Sequence, residues 1–370
     1  MTLQFVAAAL LFFWADPSSF EAVFRSGLVA LGENRLEVAQ KDLETAARLK
    51  PADPEVWLAL AQTYRKRNQV AAATSAISRA ESLAGNNLTA LNGLILYFSQ
   101  SGEYQKAASF ASRVVQKQDR ADLRVIMGEA DEAEHRPKEA AEQFEHAIRL
   151  NPYEEDYYFR AARAYALAGD PPSTIKVVAA GKKIFANSEQ LELMLGIAYY
   201  ALQRYTEAAD TFLSAIRMDS SVPQPYVFLG RMMDHAPSRL PQILAAFKAL
   251  ADKAPDDYLG NFLYGKALLQ SGGDEDRAGE LLRKSVSLKA DYWESHLELA
   301  RALELKGRFD DAARELRRAI ELNPKSATAH FRLGRVLDRL GQPDAAKAEY
   351  AIQSKLIDDE ESRFDPLRRP

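Results

Sequence analysis

The chain has 370 residues, of which 47% are hydrophobic and 27% charged, with a formal net charge of −4. This is a soluble, structured, helix-rich composition, and it lacks the basic surplus of a broad nucleic-acid footprint. There is no cysteine, which excludes disulfides, thiolate metal sites, cysteine nucleophiles and cysteine-linked lipids.

Residues 1–19 stand apart. Leu3 to Trp14 is a run of mostly apolar residues without a charge. It is too short for a spanning helix, which needs about 20 residues, so no integral membrane span is expected. It fits the apolar core of a signal peptide cut after Ala15, which would make the protein periplasmic or secreted. Against this, no Lys or Arg precedes it, and Phe13 is not the small residue such a cut prefers. The alternatives are a hydrophobic helix capping the fold of a cytoplasmic protein, and a peripheral or truncated membrane anchor.

From residue 20 to residue 360 the sequence returns on itself about every 34 residues. Glycines recur in phase at Gly27, Gly128, Gly196, Gly230, Gly265 and Gly334, and a second signature reads AARLKP at 46–51, AIRLNP at 147–152, AIRMDS at 215–220 and AIELNP at 319–324. Ten copies are placed at 20–53, 54–87, 88–121, 121–154, 155–188, 189–222, 223–257, 258–292, 293–326 and 327–360, leaving 361–370 as a short polar tail. Copies five, seven and eight are the least regular: Pro171 and Pro172 sit in the turn of copy five, and one extra residue falls near Pro237–Pro241 and near Gly272–Gly273. Within each copy, apolar residues at positions four, seven, eight and eleven form one buried helix face. Small residues at positions eight, twenty and twenty-seven let paired helices approach to about 8–10 Å. Gly or Asn near position fifteen suits a left-handed helix end, and Pro near position thirty-two separates copies.

The residues Trp57, Leu60, Ala61, Tyr64, Ala73, Ile77 and Ala80 of copy two, and Gly196, Tyr199, Ala208, Phe212 and Ala215 of copy six, carry a resemblance to the tetratricopeptide (TPR) repeat. Copies four, nine and ten carry the same pattern, with Pro152 and Pro324 closing copies four and nine. The resemblance covers nearly the whole chain. It implies an all-α, right-handed superhelical solenoid of about ten helix-turn-helix repeats, and a role in protein–protein interaction.

No nucleotide-binding, zinc-protease or nucleophile-elbow motif is present, so no catalytic residue, metal or cofactor is expected. His296 and His330 share position four, where Trp57 and Tyr158 sit in other copies, and are read as packing residues rather than a metal pair. Some TPR domains hold chaperone C-termini with a Lys/Asn clamp. Phe24, Leu28, Leu58, Gln62, Asn92 and Leu96 occupy its positions five and nine here, and no three consecutive copies show it.

In the family, positions two, five, nine and twelve of the first helix line the concave surface. From copy five onward position nine reads Arg163, Ile197, Arg231, Lys266, Arg301 and Arg335, and position five reads Phe159, Leu193, Val227, Phe262, Leu297 and Phe331. The peptide-binding candidates are Phe159, Arg163, Arg231, Phe262, Lys266, Arg301, Phe331 and Arg335, for a protein or peptide partner that is acidic with apolar anchors; no nucleic acid is expected. The competing reading pairs Arg231, Arg301 and Arg335 with Asp234, Glu304 and Asp338 three residues on, as ordinary surface ion pairs. The leading function is a scaffold or adaptor holding a partner segment in its groove. Next comes an accessory subunit regulating an enzyme or secretion complex, and last a stand-alone enzyme.

Overall fold

The computed structural model describes residues 18–364; the apolar segment and the export expectation lie on residues 1–17, outside them. Among the described residues there are twenty α-helices, two short 3-10 helices and no strand. None of these helices is long and apolar enough to cross a membrane. Two compact units divide between Asp170 and Pro171, in the turn of copy five.

The first unit holds α1 (Phe20–Gly32) with α2 (Leu36–Leu49), α3 (Pro54–Lys66) with α4 (Val70–Ala84), α5 (Leu88–Gln100) with α6 (Tyr104–Val115), α7 (Ala121–Ala133) with α8 (Pro137–Leu150), and α9 (Glu155–Leu167). The second holds α10 (Pro171–Lys182), α11 (Glu189–Ala201) with α12 (Tyr205–Met218), α13 (Gln224–Met232) with α14 (Leu240–Lys253), α15 (Tyr258–Gln270) with α16 (Glu275–Leu288), α17 (Trp293–Leu305) with α18 (Phe309–Leu322), and α19 (Ala327–Arg339) with α20 (Pro343–Phe364). Within each unit successive α-helices pack on one another, except α13 and α14, which are joined through the two 3-10 turns between them. α20 runs past the expected end of the array at 360, because no Pro or Gly follows Pro343 before Phe364.

The turn inside each copy is built by one device. Asn34, Asn68 and Gln203 take positive φ near 58–60°, and Gly102, Gly307 and Gly341 take 69–74° at the same position. The next amide then reaches back to a carbonyl of the first helix, as in Arg35 N to Ala30 O and Gln69 N to Tyr64 O, both 2.8 Å, and Arg308 N to Leu303 O, 2.9 Å. This satisfies a helix-terminal carbonyl that would otherwise lack a partner. Copy seven breaks the pattern. There α13 stops at Met232, two 3-10 turns carry the chain through Met233–His235 and Pro237–Arg239, and Lys266 Nζ donates 2.6 Å to the Gly230 carbonyl near the early helix end.

Helix pairs close by matching volumes at positions eight and twenty-four. A methyl added at Gly128 would lie 2.6 Å from Phe144 Cε1, at Gly196 2.5 Å from Phe212 Cε1, at Gly334 2.6 Å from Tyr350 Cε1, and at Gly27 2.7 Å from Leu43 Cγ. Where position eight is Ala (Ala61, Ala162, Ala300), position twenty-four shrinks to Ile77, Val178 or Leu316; where it is Ile95, the partner is Ala111. The large partners Phe144 and Phe212 are fully buried.

Position four joins one copy to the next. Trp57 Nε1 donates to Pro51 O at 2.9 Å, Asn261 Nδ2 to Pro255 O at 2.7 Å, and Tyr226 Oη to Ser220 O at 3.3 Å. His296 Nε2 meets Ala290 O at 3.1 Å and His330 Nε2 meets Pro324 O at 3.2 Å. Four side-chain types thus supply the same donor to a carbonyl in the linker six residues earlier.

The volume match predicts that Gly196→Val destabilises the chain by about 1–3 kcal/mol, since the added methyls overpack Phe212. Phe212→Leu in the same chain should recover part of that loss, whereas Phe212→Leu alone destabilises. Urea denaturation of the four proteins reads the coupling, and purely additive effects would refute the match.

Candidate functional site

The sequence-derived basic stripe divides between the units: Arg163 lies in the first, and Arg231, Lys266, Arg301 and Arg335 in the second. In the second unit the first helices of successive copies touch, α13 against α15 and α15 against α17. Most of these bases serve the preceding copy. Arg163 Nη2 donates to both Glu132 oxygens at 2.7 and 2.9 Å, beside Arg160, which reaches Glu129 at 2.8 Å. Lys266 holds the Gly230 carbonyl. Arg301 donates to Gln270 at 3.2 Å and pairs with Glu298 at 3.5 Å. Arg231 and Arg335 are exposed and make no hydrogen bond or ion pair among the described residues.

Two of the three acids expected to neutralise these bases have other partners, and the third, Asp234, makes no side-chain hydrogen bond or ion pair among the described residues. Glu304 is taken by Arg332 of the next copy at 3.2 Å, and Asp338 accepts from Tyr350 Oη at 2.8 Å. A spacing of three puts a pair on one helix face, but the next copy supplies a partner for Glu304 and the second helix of the same copy one for Asp338. An acid that the sequence reading passed over, Glu294, joins this face from α17. Burial pushes its carboxyl up, while Arg231, Lys266 and Lys289 pull it down. Its Oε2 is buried without a hydrogen-bond partner.

The position-five residues do not form a uniform apolar row. Phe262 is only 5% exposed and meets Tyr292 edge-on at 5.1 Å, so this candidate contact residue belongs to the core. Phe159 is half-buried, with the Arg163 guanidinium 5.9 Å from its ring centre. Phe331 is 43% exposed, its ring 6.0 Å from that of Tyr350.

Beside Arg301 and Arg335 the second unit holds a cavity of about 460 Å³ between α17 and α19. Its charged lining is Arg301, Glu304, Arg332, Arg335 and Arg339, and its apolar lining includes Leu305, Phe309 and Val336. Arg332 and Arg339 were missed in sequence because they lie at positions six and thirteen, off the stripe; their crowding into one helix, Arg332–Arg335–Arg339, is the signal that would have found them.

His296 and His330 do not face each other. Each is 5% exposed and turns Nδ1 to the second helix of its own copy, 2.6 Å from Glu315 and Glu349 respectively. Burial pulls the His296 imidazole down, but the Glu315 carboxylate and the Ala290 carbonyl outweigh it and hold its pKa above the ordinary 6.5. A folded-state pKa raised this way stabilises the fold fully below about pH 6.5, the unfolded value, and that contribution is lost as pH rises through the folded value. His296→Asn can keep the linker bond, as Asn261 does one copy earlier, without titrating. Unfolding midpoints measured from pH 5.5 to 9 should therefore fall less steeply for this variant than for the parent; equal slopes would dismiss the proton-linked contribution.

The profile of the tetratricopeptide repeat matches residues 24–87, 190–225 and 297–355. A TPR repeat-containing protein of Treponema pallidum (strain Nichols) is 28% identical over 250 residues, covering 58% of this chain and 30% of that protein. The chain thus spans less than a third of that relative's length. Among solved structures, a chain in the structure of Naa15/Naa10 bound to HypK-THB aligns with a TM-score of 0.47 at 13% identity, over 91% of this chain and 63% of that one. Yeast Tom70 aligns with a TM-score of 0.38 at 15% identity, over 94% of this chain and 97% of its own.

Proposed function

We propose that this chain, which belongs to the tetratricopeptide-repeat family, is a protein-interaction scaffold that holds an extended segment of a partner against the first helices of its second unit. The observation that carries this reading is the concentration of uncommitted positive charge beside exposed apolar side chains on α17 and α19. Arg335 and Arg339 make no ion pair among the described residues, while Leu305 and Phe331 are 53% and 43% exposed. A partner segment with acidic groups and apolar anchors matches both features. Burying such anchors contributes roughly 1.5–3 kcal/mol per enclosed side chain, and clustered charge makes association faster and salt-sensitive.

Capture of partners from the native host, with mass spectrometry, tests the reading. Arg301→Glu with Arg335→Glu should weaken capture of the principal partner about tenfold or more and leave helicity unchanged, since opposite-sign complementarity becomes repulsion. Undiminished capture, with undiminished salt dependence, would remove this face from the reading.

Export belongs to the same proposal, supported by the uncharged apolar run from Leu3 to Trp14. N-terminal sequencing of protein from the native host should find a start at Asp16; a soluble pool retaining Met1 would point to the capping alternative.

A further inference from the structure

The cavity between α17 and α19 carries more charge than folding explains. Four guanidinium groups and one carboxylate line it, and that carboxylate, Glu304, is already paired with Arg332. Arg301 has Glu298 and Gln270 as partners, but Arg335 and Arg339 have no hydrogen bond or ion pair among the described residues. A base in the last turn of a helix complements its dipole, which accounts for Arg339. It does not account for Arg301 or Arg335, neither of which lies in a last turn. Arginine stays charged at any pH the fold survives, so the surplus cannot be relieved by deprotonation.

The shape of the surplus selects the ligand. A single carboxylate offers two oxygens and one charge. A phosphoryl group carries about −1.5 to −2 at neutral pH and three strong acceptor oxygens, so it can engage several guanidinium forks together. The apolar lining from Leu305 and Val336 lowers the local dielectric and strengthens such contacts.

We propose that this cavity is a receptor for a phosphoryl group, with Arg335 and Arg339 as its free forks and Arg301 and Arg332 closing the wall. The inference rests on the scaffold reading to the extent that the group arrives on a partner's side chain; the site itself stands on the cavity and its arginines.

Isothermal titration of the full chain at low ionic strength tests it, with the tripeptides Gly-phosphoSer-Gly and Gly-Asp-Gly and inorganic phosphate as probes. The phosphorylated tripeptide should bind one-to-one, about tenfold or more tighter than the aspartyl one. Arg335→Ala with Arg339→Ala, both exposed and outside the core, should weaken it about tenfold or more, and Arg317→Ala, exposed on α18 and outside the cavity, should leave it unchanged. Tighter binding of the tripeptide than of inorganic phosphate assigns a phosphorylated side chain; equal binding assigns the free ion. Failure of both phosphorylated probes to saturate, parity of the aspartyl tripeptide, or undiminished binding by the double variant would each overturn the receptor. Failure of the parent chain to capture any partner, with its phosphate titration intact, would instead sink the scaffold reading alone.

Discussion

The structure depends on the seam between the two helices of each copy, where a small residue at position eight faces a large one at position twenty-four. Phe144 and Phe212 can be fully buried only because Gly128 and Gly196 leave their helix without a side chain at the point of contact. Close packing makes this a matter of fractions of an ångström, since a core neither tolerates overlap nor benefits from a gap. One closed pair still exposes an apolar flank. The next copy covers it, so stability in such arrays accumulates through nearest-neighbour contacts. The inverse assignment in copy three, Ile95 against Ala111, follows from the same constraint: a small residue must face a larger one, and either helix can supply it.

Closing a stack of helices leaves backbone groups at every turn and linker that must find partners away from water. Within a copy the left-handed residue lets a turn amide reach back to the first helix, and most copies place Asn or Gly there. Between copies the task falls to position four. Trp57, Tyr226, Asn261, His296 and His330 share neither size nor charge, yet each presents an N–H or O–H to the linker carbonyl six residues earlier. In copies nine and ten the second imidazole nitrogen is used as well, binding the first helix to the second through Glu315 or Glu349.

The helix pairs, the irregular copy seven and the left-handed turns were legible in the sequence because each repeats with the period or visibly breaks it. Position four was read as packing alone: burial is what an apolar pattern reports, and a shared donor among Trp, Tyr, Asn and His is visible only when the linker carbonyl is in view. The basic stripe was legible as residues and misjudged as electrostatics. Arg163 and Glu132, or Arg332 and Glu304, are separated by about one repeat in sequence and meet only when adjacent copies dock. Phe262 illustrates the same limit. It holds the position that is exposed in Phe331, but Tyr292, in the linker that closes its copy, covers it.

The energetic scale of these contacts separates what folding requires from what it leaves free. Exposed ion pairs contribute about 0–1 kcal/mol each, so those lying open on the surface here do little for stability. Burial of the seam residues supplies far more, at about 25 cal/mol for each Å² of apolar surface removed from water. A fold held by apolar seams can vary its first-helix charges at small thermodynamic cost. Arg335 and Arg339, four residues apart on one helix, even repel each other mildly, by about 0.2–0.5 kcal/mol. Such a pair adds nothing to the packing of α19 on α20, which runs through the contact of Gly334 with Tyr350. Of the residues that line the cavity, Arg301, Glu304, Arg332 and Val336 also help to hold the copies together, whereas Arg335 and Arg339 do not, and substitutions at those two can report on recognition without first dismantling the stack.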